Sequence, residues 1–182
     1  MKKFTISPSN PLLARANGIP LAVHFHAWLL KRGIFYTMAS AYVRAVLELA
    51  EHFAANPADV TIKAVWGFTK ERELSAPVAR TYVSAHSLWI EYWKRRDKAV
   101  PDHWTTTTGI IADVLGWKSR LVVKALKYYA VDKGIPLKDF EKRFGSTWKA
   151  YVVPVEFFRY AEKVKKEDDA RWKSPPAEIA DT

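Results

Sequence analysis

The chain has 182 residues, 49% hydrophobic and 14% aromatic with eight tryptophans, so it carries the apolar material for packed cores and does not read as disordered. Its 29 Lys and Arg against 19 Asp and Glu leave a net charge of +10 and a pI near 9.7, which points to a polyanionic partner, nucleic acid first. The absence of cysteine excludes disulfides, thiolate nucleophiles and Cys-based zinc sites. No run approaches the ~20 apolar residues of a membrane span, and Pro8, Asn10 and Pro11 interrupt the N-terminus before a signal-length apolar run develops. A cytoplasmic, nucleoid-associated protein with no membrane partner is expected.

The length suits two small domains. After a Pro- and Asn-rich leader (1–20), "LAVHFHAWLLKR" places Leu21, Phe25, Trp28 and Leu29 at helical spacing and stops at Gly33. Thr37 or Ser40 can cap a second helix running to about Ala54, with Tyr42, Val46, Leu49 and Phe53 as its buried stripe. Asp59 or Thr61 opens a short third helix holding Val65, Trp66 and Phe68. Ser75 caps a fourth, with Pro77 in its first turn. There Ala79, Tyr82, His86, Trp89 and Trp93 form one stripe, flanked by Val83 and Ile90. Its opposite side carries Arg80, Ser84, Ser87, Leu88, Glu91 and Arg95, small and basic residues open to an anion.

Pro101 and the composition around it set a domain boundary near residues 97–103, ending the first domain at about 98. "TTTTGIIADVLG" then offers a hydroxyl cap and a short helix stopped by Gly116. After a tight turn, Ser119 can cap a longer helix with Val122, Leu126 and Tyr129 inward, Tyr128 outward and Gly134 at its end. "FEKRFGSTWKAYVV" reads as two strand arms around Gly145-Ser146, or else as a helix over "LKDFEKRF" followed by a single strand. A last helix follows Pro154, closing a second domain at 104–170, and 171–182 reads as a loose tail.

The short helix, Gly turn and longer helix over 109–134 have helix-turn-helix spacing, in which the second helix lies in a DNA major groove. "IADVLGWKSRLVVKALKYYAVDKGI", with its Leu-Gly, its Ala-Leu pair and its closing Gly-Ile, resembles the winged-helix families of DNA-binding proteins over about 105–153. That resemblance implies that Lys118, Ser119, Arg120, Val123, Lys124 and Lys127 face the groove or its phosphates, and that Lys142, Arg143 and Lys149 sit in the wing. Between Leu115 and Ala150 there are nine bases and three acids, a surplus of six. Charge so concentrated supplies sequence-independent affinity for a phosphate backbone by releasing counterions.

"FHAWLLKRG", "SAYVRAVLELAEHF", "ADVTIKAVWGF" and "LSAPVARTYVSAHSLWIEY" together resemble, over about 21–96, the SAM-like core-binding domain of tyrosine recombinases. In that family the second and fourth helices cross the DNA. The resemblance implies DNA contacts by Lys31, Arg32, Thr37, Ser40 and Arg44, and by Arg80, Thr81, Ser84, Ser87 and Arg95. Glu48 and Glu51 acidify the later turns of the second helix and oppose DNA there. The family's catalytic His-x-x-Arg is missing, since the five histidines are followed three residues later by Ala27, Leu29, Ala55, Trp89 and Thr106. The expectation is a mainly α fold, a four-helix SAM-like bundle followed by a small winged-helix domain and a C-terminal helix. It is expected to bind duplex DNA without catalysis, with a homodimer or multimer on the DNA as an option, in recombination, transcription regulation or replication and partition.

Other chemistry finds little support. His24 and His26 sit two apart, so on a helix their rings diverge by about 200°, and no further ligand stands at diagnostic spacing. His86 reads as a core residue. No cofactor or metal is expected, and there is no phosphate-cradling Gly loop. Trp117 and Trp148 would stack on unpaired bases if exposed, which makes single-stranded nucleic acid a second candidate ligand. An interaction subunit with aromatic faces is a third reading.

Overall fold

The computed structural model describes residues 5–96, 104–144 and 148–166. Among these are seven α-helices and five short strands, a mainly helical fold with small antiparallel sheets. The boundary at 97–103, the Gly145-Ser146 turn and the tail lie outside the described residues.

Residues 5–20, ahead of the first helix, are structured. Asn10 is buried; its side-chain oxygen accepts from the Leu12 N–H, and its amide donates to the Leu47 carbonyl at 3.0 Å and to Glu51 at 2.8 Å. Leu12 enters the core. Strands β1 (Arg15–Ala16) and β2 (Ile19–Pro20) form a hairpin through Asn17 and Gly18, both at positive φ, as a two-residue turn twisted with the strands requires. A Cβ on Gly18 would meet the Arg159 guanidinium at 3.3 Å, a tight contact the arginine must shift slightly to relieve, and the positive φ strains any other residue there.

Helix α1 (Leu21–Lys31) ends before Gly33, at φ +79, as its sequence predicts. It is buried on nearly all sides, including His24 and His26, because neighbours pack around it rather than along one stripe. Helix α2 (Tyr36–Phe53) begins ahead of both expected caps, with Phe35 at the N-cap position and no side-chain cap bond. Val46 and Leu49 are buried, while Tyr42 and Phe53 are only partly covered. A 3-10 turn (Pro57–Asp59) leads to α3 (Ile62–Glu71), which Thr61 caps by accepting from the Ala64 N–H at 3.2 Å. Val65 and Phe68 are buried as expected; Trp66 is not, being 43% exposed, because the helix packs one narrow face on its neighbours.

Helix α4 (Ala76–Arg95) starts after Ser75, whose side chain makes no cap bond. Ala79, His86 and Trp89 are buried, Tyr82 and Trp93 are half-covered, and Tyr92 is buried outside the expected stripe. Tyr92 packs 5.4 Å from Phe25 and 5.2 Å from Trp89, and Trp89 meets Phe25 edge-on at 5.1 Å.

The threonine run contains a strand, β3 (Thr105–Thr107), where only a cap was expected, followed by α5 (Thr108–Leu115). Helix α6 (Ser119–Lys133) has Lys118, not Ser119, at its N-cap and stops at Gly134, φ +65. Val122, Leu126 and Tyr129 face inward. So does Tyr128, contrary to expectation, since α6 is packed by α5 and by α7 (Phe157–Lys166) and not from one direction alone. A 3-10 turn over Leu137–Phe140 is too short for the helical alternative; β4 (Glu141–Phe144) and β5 (Trp148–Pro154) pair antiparallel, and β5 lies between β4 and β3.

The buried residues of α1, α2, α4, α5, α6 and α7 form one hydrophobic cluster, with Leu49, Val65 and Phe68 as a satellite beneath α3. His26 crosses between segments: its ring nitrogens bond the Thr106 hydroxyl at 2.8 Å and the Ser40 hydroxyl at 3.2 Å, joining α1 to β3 and α2.

Candidate nucleic-acid interface

The densest basic feature starts at the α5–α6 turn. Gly116, at φ +68, lets α5 end and the chain reverse within three residues, with the Trp117 N–H returning to the Ala112 carbonyl at 2.8 Å. Lys118, Ser119 and Arg120 are exposed around the N-terminus of α6, whose first turn has no acid and no side-chain cap. Bases there oppose the helix dipole, whereas the helix N-terminus itself suits an anion. Val123, Lys124 and Lys127 continue from Arg120 up the partly exposed side, opposite buried Val122, Leu126 and Tyr129.

In the β4–β5 hairpin Arg143 lies directly opposite Lys149 and Lys142 opposite Ala150. Side chains alternate along a strand, so Arg143 and Lys149 share one face and Lys142 points to the other. Glu141 accepts from Arg143 at 3.0 Å and stands 3.7 Å from Lys149, relieving the repulsion of two cations in register. The three expected wing cations are thus exposed but do not share one face.

The residues assigned to the earlier helices are dispersed. Ser40 is buried and bonded to His26, which removes it from any ligand surface. Lys31 lies over the Trp104 ring at 4.6 Å. Arg32 covers Trp28 and pairs with Glu91 at 2.5 Å; Arg95 approaches the same carboxylate at 3.5 Å. Arg44 bonds Asp113 at 2.8 Å, tying α2 to α5. The hydroxyls of Thr81 and Ser87 donate back to the carbonyls of Pro77 and Val83. Thr37, Arg80 and Ser84 are exposed. Glu48 and Glu51 turn inward: Glu48 accepts from the Tyr82 hydroxyl at 2.6 Å and from Arg72, and Glu51 from Asn10.

Neither His24 nor His26 has a free role as a ligand: His24 is 2.7 Å from the Ala16 carbonyl, and His26 uses both nitrogens. Among the described residues no group of three His, Asp or Glu could hold a metal, and no helix is long and apolar enough to cross a membrane. Trp117 is half-buried, and the side chain of Trp148 lies outside the described residues. Residue patterning placed α3 but assigned it no ligand surface, although Lys63, Trp66 and Lys70 are exposed together on it. Comparison with protein-family models, curated proteins and solved structures found no match.

Proposed function

We propose that the chain is a non-catalytic DNA-binding protein that sets α6 in the major groove of a duplex and flanks it with the β4–β5 wing. The observation that carries the reading is the order β3, α5, α6, β4, β5, with β5 between β3 and β4 and a basic edge on α6. Strand, helix, three-residue turn, helix and hairpin in this order are the parts of a winged helix, and the first four helices serve as the SAM-like module. Lys118, Arg120, Lys124 and Lys127 meet phosphates or base edges; Arg143 and Lys149 reach phosphate from one face of the wing. In the first module Arg80, with Thr37 and Ser84, is the accessible set, and Arg32, Arg44 and Arg95 contribute only by leaving their carboxylate partners. Recombination, transcription regulation and replication or partition are all served by such binding.

Gel-shift titration of a duplex over a salt series tests this. Arg120→Ala with Lys124→Ala should weaken binding strongly and lower the salt slope by about one per lost phosphate contact. Unchanged affinity and slope would remove α6 as the recognition helix.

A further inference from the structure

Helix α3 has an outward face that the packing of the fold does not explain. Ile62, Trp66 and Lys70 follow each other at four-residue spacing, with Lys63 and Gly67 beside them, and all five are exposed. Neither Lys63 nor Lys70 has an ion-pair partner among the described residues, whereas Arg72, at the end of the same helix, is bound to Glu48. The two ammonium groups stem from positions two turns apart, about 10 Å along the axis, with the indole between them. The only acid of this helix, Glu71, stands about 140° around it from Trp66, one turn from Gly67 and on the side of that glycine away from the lysines. Gly67 is the second anomaly. It costs a helix stability, yet a Cβ there would meet nothing within 4 Å, so no neighbour in the fold demands glycine. The missing side chain leaves the helix backbone open to close approach at this point.

We infer that the outer face of α3 binds single-stranded nucleic acid, with one base stacked on the Trp66 indole, the flanking phosphates on Lys63 and Lys70, and the sugar passing over Gly67. Aromatic stacking takes any base, and lysines flanking an exposed indole complement the charge of a strand better than that of an apolar protein partner. This surface is separate from α6 and does not depend on the duplex reading.

Fluorescence anisotropy of the full chain with labelled oligo(dT), oligo(U) and a duplex tests it. Trp66→Ala should weaken binding to the single strands about tenfold while leaving duplex affinity unchanged, and Trp66→Phe should recover most of the loss. Lys63→Ala with Lys70→Ala should lower the single-strand salt slope by about 0.7 per lost contact. Preference between oligo(dT) and oligo(U) assigns the strand as DNA or RNA within the same inference. Trp66 is a surface residue, so an unchanged far-UV circular dichroism spectrum identifies a folded variant. The inference is overturned if the parent fails to bind oligo(dT) and oligo(U) at low salt, or if folded Trp66→Ala binds as the parent does. It is overturned equally if Trp66→Ala changes only the sedimentation of the free protein, which would make the face a contact between copies. Loss of duplex binding in the α6 double variant, with Trp66-dependent oligo(dT) binding retained, separates the two surfaces.

Discussion

His26 is completely buried and holds three elements at once, through Thr106 on β3 and Ser40 on α2. Burial, aided by the charge of Arg44, pushes its pKa down to about 3 from 6.5. The folded state therefore holds the neutral ring, and protonation favours the unfolded chain. The contribution is fully present above about pH 6.5 and is lost as the pH falls toward 3, at roughly 1.4 kcal/mol per unit. Urea unfolding at pH 5 should show about 2 kcal/mol less stability from this group than at pH 7. In His26→Gln that part of the pH dependence should vanish, and an equal slope in both proteins would refute it. The sequence placed His26 on a helix without indicating this duty, because neither hydroxyl partner stands at a helical spacing from it.

At the scale of elements, α4 keeps two faces, and the outer one is more occupied than its composition implies. Glu91 draws Arg32 and Arg95 together, so two candidate DNA cations are committed to one carboxylate. If this face meets duplex DNA, Glu91→Gln should free both arginines and tighten binding severalfold, with a steeper salt slope. A gel shift with no change would exclude the pair from the contact. Helix periodicity made most of this element legible, but Tyr92 escaped because it packs against Phe25 of α1, a non-local partner. The same limit explains β3, a threonine run that becomes a strand only by pairing with β5. It also explains Trp66, which helical spacing alone could not tell from Val65 or Phe68. The β1–β2 hairpin was missed for another reason. Asn17-Gly18 is a strong turn signal, but two-residue strands are too short to show alternation.

At the scale of the molecule, composition foretold packed cores, and the glycines that end α1, α5 and α6 lie where their spacing put them. Composition could not foretell how the segments join. Helix α1 packs against α2 and α4 and also against β3 and α5, and Arg44–Asp113 and Lys31–Trp104 add polar ties between the same parts. Helix α1 thus links α4 on one side to β3 and α5 on the other, and α5 in turn packs on α6. If α4 and α6 both meet DNA, as proposed, the protein would act as a ruler: on a duplex contacted by both, the distance between the two contacts would be set by the protein, and their phase by the turn of the DNA. Inserting about five base pairs, half a helical turn, between the two footprints should abolish joint binding, and inserting about ten should partly restore it. Equal affinity for all spacings in a footprinting series would mean that only one face engages DNA.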